Sequence, residues 1–346
     1  MEHQILHVFD LPQIYSKPSA VALLDALALL VSQPPSWDAS DSEDSPIVIR
    51  RSKGNRVNGS TNRRTVDPAG VTRYLTSIVG NELGWIEDDS LKETIWEQAS
   101  LRLAERSGRT AMPAIERTFR IPTGTGYISI SIHEPALTAD NLGLKTWASS
   151  YLLAKRLRHF PFPQKEDVAI LELGSGTGLV GMAAAALLGA SVLLTDLPEI
   201  VPNLKRNADA NWEVIEADGG CTEVAVLDWT QPDILTPVSA TMSSHPSDFP
   251  IILAADPLYS PEHPRLLVTT ISKWLSADPD ARVVVELPLR EAYSPEIKDF
   301  RQRMRDAGLK VLDEGEETGY DDWGWDPSGS ERQDEVTCWW SVFGWA

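Results

Sequence analysis

From about residue 145 the chain alternates short apolar runs with amphipathic stretches. Apolar runs occur at Val168–Leu173, Ser191–Thr195, Glu223–Leu227, Pro250–Ala255 and Ala281–Leu287. Their length and β-branched content suit strands covered on both faces. Residues 178–189, 199–211, 263–275 and 294–307 space their apolar positions as helices do. Strands alternating with helices predict a mostly parallel sheet with helices on both sides. Leu309–Asp313 and the Trp-rich Glu335–Phe343 add two strands, the second suited to antiparallel pairing at the end, for seven in all. The segment GLKTWASSYLLAKRL predicts an amphipathic helix leading into the first strand, with Trp147 just before it. Upstream, residues 117–134 alternate apolar and polar positions, a hairpin pattern turning at Gly124 and Gly126.

The front of the chain reads as helical. Ser19 caps a pattern through Val21, Leu23, Leu24, Leu27 and Leu30, and Asp67-Pro68 opens another through Val71, Tyr74, Leu75, Ile78 and Val79. A third, capped at Asp88–Ser90, carries Ile95, Trp96, Leu101 and Leu103 and stops at Gly108. Residues 32–65 lose periodicity, which predicts a flexible insertion with Ile47–Ile49 as a short strand. The chain thus divides into a mainly helical N-terminal domain, 1–116, and an α/β domain, 117–346.

Composition narrows the class. The 346 residues allow about two domains, and no apolar run nears the ~20 residues of a membrane span. The start, MEHQILHVFD, lacks a basic segment followed by an apolar one, so no secretory leader is expected. Cys221 and Cys338 are the only cysteines, which excludes a disulfide scaffold and a Cys-x-x-Cys zinc site. His3 and His7 are four apart with no third ligand in sight, so no metal is expected. A reducing, cytoplasmic setting follows. The net charge is −19, and residues 121–346 hold 34 acids against 17 bases. Such a field repels phosphate backbones and attracts basic partners, although solubility alone also accounts for it. The basic stretch Arg50, Arg51, Lys53, Arg56, Arg63 and Arg64 contains no aromatic for base stacking and reads as a solvated loop.

The chemistry centres on Glu172-Leu173-Gly174-Ser175-Gly176-Thr177-Gly178, which joins an apolar strand to a helix. Glycines permit a tight turn and close approach to a ligand, and the helix start offers free N–H groups. A dinucleotide loop has the register G-x-G-x-x-G; here the third glycine comes one residue early. Asp196, followed by Leu197, ends the second strand, where a carboxylate can accept both hydroxyls of a ribose. Asp228-Trp229 ends the third, suited to an adenine amino group and the purine face. Each acid alone is equally a helix cap or core residue; three at successive strand ends after a glycine loop point to a nucleoside ligand. The fourth strand ends in Ala255-Asp256-Pro257-Leu258-Tyr259, which places a carboxylate and a phenol beside that ligand.

The E-x-G-x-G-x-G register resembles motif I of the Rossmann-like class I methyltransferases that use S-adenosylmethionine (SAM). There the glycine backbone passes the methionine and ribose, and the acid corresponding to Glu172 lies near the methionine. Asp-Pro-Leu-Tyr resembles two motifs: the Asp/Asn-Pro-Pro-Tyr of nucleic-acid amino-methyltransferases and the Asp/Glu-x-x-Tyr of seven-strand protein-lysine methyltransferases, family sixteen. Position 258 is Leu rather than a second proline, which favours the lysine family. GLKTWASSYLLAKRL, LELGSGTGLVGMAAA, TDLPEIVPNLKRNADAN, LDW and ADPLY are similar to that family in order, across about residues 117–345. The front, with DLPQIYSKPSA and LRLAERSGRTAMPAI, resembles the fungal branch that methylates translation elongation factor two.

That resemblance implies Asp256 and Tyr259 as catalytic residues. It implies Trp147, Glu172, Gly174, Ser175, Gly176, Thr177, Gly178, Asp196, Leu197, Asp228, Trp229 and Ala255 around the cofactor. It also implies a protein substrate rather than nucleic acid. Two other readings remain open at this level: an RNA or DNA amino-methyltransferase, and a non-catalytic SAM-binding interaction module. His263 reads as a helix-start residue, Asp313–Glu317 with Asp321 and Asp322 equally as acids that steer a basic substrate or as a solvated loop, and Trp323 and Trp325 as recognition or packing aromatics.

Overall fold

The computed structural model describes residues 5–31, 47–50, 65–67, 69–106, 114–136, 142–160, 162, 168–239, 248–321 and 334–346. Strand β1 (Ile5–Leu6) precedes helix α1 (Ala20–Leu29), which Ser19 caps through the Ala22 N–H. Strand β2 (Ile47–Arg50) lies within the aperiodic stretch, so Ile47–Ile49 does form a strand there. Then follow β3 (Thr65–Val66), α2 (Val71–Val79) and α3 (Asp89–Glu105), the last capped by Asp88. The second helix starts at Gly70, later than Asp67-Pro68 predicts, because Gly70 turns in the left-handed region at φ 80°. The third ends at Glu105, ahead of Gly108, which lies outside the described residues. Together α1–α3 bury a core of their own around Leu23, Leu27, Leu75, Ile78 and Ile95.

The hairpin follows as β4 (Ile115–Pro122) and β5 (Tyr127–Glu134), with β2 paired antiparallel to β4. Helix α4 (Ala148–Arg156) leads to β6 (Ala169–Leu173), α5 (Leu179–Leu188), β7 (Ser191–Asp196), α6 (Val201–Ala210), α7 (Trp212–Glu216) and β8 (Cys221–Val226). Next are β9 (Thr236–Pro237), β10 (Ile251–Ala255), α8 (His263–Trp274), β11 (Arg282–Pro288), α9 (Ser294–Asp306), β12 (Leu309–Asp321) and β13 (Asp334–Trp345). The main sheet runs β12-β13-β11-β10-β6-β7-β8-β9, with β11, β10, β6, β7 and β8 parallel. The Rossmann-like α/β architecture is as predicted, but among the described residues the sheet has eight strands rather than seven. The extra one, β9, pairs with β8 over two residues, and the Val238 N–H adds a bond to the Val224 carbonyl at 3.1 Å.

Two further expectations need correcting. β13 is not at the end of the sheet: it lies between β11 and β12, antiparallel to both. β12 extends to Asp321 instead of ending at Asp313, because β13 pairs with it residue by residue to that point. The acidic stretch is therefore strand rather than loop. Trp323 and Trp325 fall outside the described residues.

Apolar layers cover both sheet faces. One packs α4, α5 and the hairpin against Ile170, Val192 and Leu253; the other packs α8 and α9 against Leu171, Leu193 and Ile252. The free edge of β5 is closed by an asparagine ladder from α6 and its C-cap, Asn211. Asn211 accepts from the Ser131 N–H at 2.8 Å and donates to the Ser131 carbonyl at 2.7 Å. Asn207 does the same at His133, at 2.9 and 3.2 Å, and Asn203 adds a donor to the His133 carbonyl at 3.0 Å. Four helical residues rise about 6 Å and two strand residues about 6.6 Å, so an i, i+4 ladder matches an i, i+2 edge. Among the described residues no helix is long and apolar enough to cross a membrane.

From β6 the chain proceeds to β7 on one side and later to β10 on the other, so the crossover direction reverses beside β6. That reversal opens a crevice at the strands' carboxyl ends, and the glycine loop sits in it. Gly181 lets α5 lie flat there: a Cβ would stand 2.1 Å from Leu194 Cδ2 and 2.5 Å from Glu172 Oε2. Gly181→Ala should therefore cost about 1–3 kcal/mol, read as a lower urea midpoint; an unchanged midpoint would mean α5 can lift off the sheet.

Candidate active site

The crevice is a cavity of about 670 Å³. The loop after β6 forms its floor. Gly174, Gly176 and Gly178 all have positive φ, at 69°, 57° and 89°. Space matters as well: a Cβ on Gly174 would sit 3.2 Å from the Trp229 ring, and one on Gly176 would sit 3.0 Å from the Gly143 carbonyl. The Ser175 N–H donates to the Thr195 carbonyl at 2.9 Å, and the Ser175 hydroxyl accepts the Thr195 N–H at 3.0 Å. The loop is thereby pinned to β7.

Asp196, at the end of β7, accepts the Gly176 N–H through Oδ2 and the Leu197 N–H through Oδ1, both at 2.7 Å. Burial pushes its carboxyl up to about 6, against those two hydrogen bonds. Asp228, following β8, accepts the Thr230 N–H at 2.8 Å, which folds a short turn beside the cavity. Trp229 leans on Gly174 from one side and meets His263 edge-on at 6.0 Å. Gly174, Ser175, Gly176, Thr177, Asp196, Leu197, Asp228, Trp229 and Ala255 all face the cavity, as does Trp147 from the start of α4.

Glu172 and Gly178 do not line the cavity. Glu172 is only 2% exposed, and its Oε2 accepts the Gly181 N–H at 3.1 Å, so the carboxyl braces α5 from beneath the loop. Burial pushes it up to about 8. Gly178 instead starts α5, and a Cβ on it would come within 2.6 Å of Leu204.

At the rim, Asp256 and Tyr259 face the same space. Asp256 is a non-glycine residue at φ 54°, just before a proline, with its N–H donated to the Glu286 carbonyl at 2.8 Å. Such a backbone costs of order 1–3 kcal/mol and persists only where its surroundings enforce it. Tyr259 is 47% exposed, its ring edge-on to His263 at 4.3 Å. Burial, with Asp196 and Asp256 nearby, raises the Tyr259 phenol above its usual range, so it stays protonated. His263 Nδ1 lies 3.0 Å from the Pro257 carbonyl, a contact that braces the turn, and burial lowers the ring's pKa.

Sequence reasoning missed several wall residues, and four of them bear on the chemistry. Lys145 is 2% exposed, with its ammonium 4.5 Å from the Trp147 ring centroid, and Arg290 approaches the same ring at 5.7 Å. Glu199 and Tyr293 also line the cavity. Arg290 closely follows a parallel strand, as the three acids do, so the strand-end rule extends to it; Lys145 is two residues from Trp147. Four wall acids, Asp196, Glu199, Asp228 and Asp256, face the two cations Lys145 and Arg290, a balance that suits a cationic ligand. Among the described residues no group of His, Cys, Asp and Glu is arranged to hold a metal ion.

Residues 128–305 match the family model of the lysine methyltransferases. Protein-lysine N-methyltransferase rrg1 of Schizosaccharomyces pombe is 34% identical over 97% of this chain and 98% of its own length. Protein-lysine N-methyltransferase EFM2 of Saccharomyces cerevisiae is 37% identical over 76% of this chain, which spans 64% of that protein. Among solved structures, a SAM-dependent methyltransferase from Agrobacterium tumefaciens covers 66% of the chain and 70% of itself at 18% identity, with a TM-score of 0.42.

The Asp256 backbone gives a direct test. Asp256→Gly and Asp256→Ala delete the same carboxylate, but only glycine is at ease at φ 54°. The glycine variant should be the more stable by about 1 kcal/mol in urea unfolding, opposite to the usual order of glycine and alanine. Equal stabilities would show that the backbone relaxes there.

Proposed function

The chain belongs to the lysine methyltransferase family, and we propose that its substrate is translation elongation factor two, methylated in the cytoplasm. It is a SAM-dependent protein-lysine N-methyltransferase. The observation that carries the site assignment is the acid-lined cavity at the sheet's reversal point, with Asp256 and Tyr259 on its rim. The elongation-factor target rests on the likeness of the helical front to that fungal branch, and the S. pombe relative aligns over this front as well.

The cavity's residues fit the cofactor. Asp196 already accepts two backbone N–H groups, and a carboxylate with about four acceptor positions retains capacity for the ribose hydroxyls. Asp228 and Trp229 would meet the adenine, and Trp147 the methionine end. Lys145 would face the methionine carboxylate, the cofactor's only anionic group. When bound, SAM supplies an electrophilic methyl group on a sulfonium.

The protein's task is to deliver a neutral amine in line with that methyl. A free lysine has a pKa near ~10.4, so about one in a few thousand is neutral at pH 7. Asp256 would draw the ammonium to the rim by charge. Passage against the Tyr259 ring strips its water, which favours loss of the proton to solvent. Tyr259, held as a phenol, walls the channel without acting as a base. Positioning supplies much of the acceleration.

Labelled methyl transfer from SAM into a lysate lacking the enzyme should mark one ribonuclease-insensitive band that maps to a lysine of elongation factor two. Asp256→Ala should bind SAM yet transfer nothing. Label lost with ribonuclease would move the substrate to RNA.

Asp196 should also make cofactor binding depend on pH. Diol binding favours the carboxylate, whereas burial lifts the empty site to about 6. SAM affinity should therefore hold above pH 7 and fall as the carboxyl protonates, by about tenfold at pH 5. Calorimetry across pH 5–8 checks this; an equally steep profile in Asp196→Asn would assign the titration elsewhere.

A further inference from the structure

Behind the cavity wall, a run of buried polar contacts joins the hairpin to two segments that face the cavity. Arg117 on β4 and Glu134 on β5 are 1% and 0% exposed, with Arg117 Nε 3.5 Å from Glu134 Oε2. Glu134 Oε1 accepts the Thr146 N–H at 3.0 Å. The Thr146 hydroxyl lies 2.7 Å from that of Thr177 in the glycine loop. A second route runs beside the first: Asn207 donates to the Thr177 carbonyl at 3.0 Å and accepts the His133 N–H at 2.9 Å. The last two residues of β5 thus hold the loop twice over. Thr146 itself stands between Lys145 and Trp147, both on the cavity wall.

A buried ion pair is weak evidence for stability, because desolvation offsets most of its attraction and an apolar pair of similar volume often serves as well. What Glu134 uniquely supplies is an acceptor at a fixed place for a backbone N–H next to Trp147. A buried N–H without one costs about 1–3 kcal/mol, enough to shift the segment that carries it. The contacts converge on the spacing between the 145–147 segment and residues 174–178, the width that a ligand between them must fit. The polar connection also crosses from the hairpin to the sheet, where apolar packing alone would leave the register loose.

We propose that Glu134 is a positioning residue for cofactor binding. Acting through Thr146 and Thr177, it holds the Lys145–Trp147 segment against the glycine loop at the separation the nucleoside cofactor requires. The hairpin is then the back wall of the site rather than a cover for the sheet. This inference rests on the SAM-site reading above, and it predicts a loss in cofactor affinity separable from any loss of fold.

The test is calorimetric binding of S-adenosylhomocysteine to the full chain, with a urea midpoint for each variant. Glu134→Gln keeps an acceptor for the Thr146 N–H. Glu134→Leu with Arg117→Met replaces the pair by apolar groups and removes that acceptor. Thr146→Val removes only the hydroxyl contact to Thr177. The double variant and Thr146→Val should each bind about tenfold more weakly, the latter with its midpoint nearly unchanged, while Glu134→Gln stays within about threefold of the unaltered protein. Wild-type affinity in both the double variant and Thr146→Val overturns the proposal, and so does Glu134→Gln binding as weakly as the double variant. Should the double variant fail to fold, wild-type affinity in Thr146→Val, or a loss of about tenfold in Glu134→Gln, overturns the proposal instead. Failure of the unaltered protein to bind S-adenosylhomocysteine would instead overturn the cofactor reading.

Discussion

The short contact between the Gly176 N–H and the Asp196 carboxylate, 2.7 Å across neighbouring parallel strands, is the interaction on which the site depends. A glycine loop has many accessible conformations, and glycine loses more freedom on ordering than any other residue. Something must select one of them. Here the selection comes from the strand next door: β6 and β7 are in register, so the loop leaving β6 meets the end of β7. Asp196 and the Ser175–Thr195 pair of bonds hold it there. The carboxylate that orders the loop also faces the cavity, so one side chain sets the loop's geometry and part of the cavity's charge.

This arrangement explains why much of the site could be read from the residues in order. A parallel sheet puts every strand's carboxyl end on one edge, so acids that follow successive apolar runs converge wherever the strands lie. Asp196, Asp228 and Asp256 converge for that reason, although they are up to 60 positions apart. Glu172 obeys a different rule. It lies within its strand rather than after it, where alternate side chains point to opposite faces. In a strand covered on both faces, no polar pattern reveals which side a residue takes. Its side chain went under α5.

Other features were hidden for related reasons. β12 reads as strand only to Asp313 because Glu314, Gly315, Glu316, Glu317 and Thr318 carry no apolar alternation; its pairing is imposed by β13, whose Trp339 and Phe343 are buried. The spacing of Asn203, Asn207 and Asn211 is plain in the chain, but its meaning needs a strand edge 70 to 80 residues away. Thr146 and Glu134 likewise look ordinary until the hairpin, the turn before α4 and the glycine loop are brought together. Local pattern carries the elements; contacts between distant polar groups are set only when those elements pack.

The same edge of the sheet carries a cost in stability. Burial raises Glu172 to about 8 and lifts Glu286 well above the usual carboxylate range. Neither Glu286 carboxyl oxygen has a hydrogen-bond partner among the described residues. A carboxyl whose folded pKa exceeds its unfolded one favours the fold while protonated; that contribution is fully present below about pH 4 and fades as the pH climbs toward the folded value. At neutral pH Glu172 has therefore surrendered most of what it gives in acid. The left-handed backbone of Asp256, stacked on β11 through the Glu286 carbonyl, adds its own strain beside these groups. Apolar packing on both faces of the sheet offsets such penalties, and the strand ends beside the reversal point are where they gather. A site that must hold a cation, a nucleoside and an incoming amine needs acids out of water, and a sheet edge backed by two apolar layers is a place where that demand and a stable fold coexist.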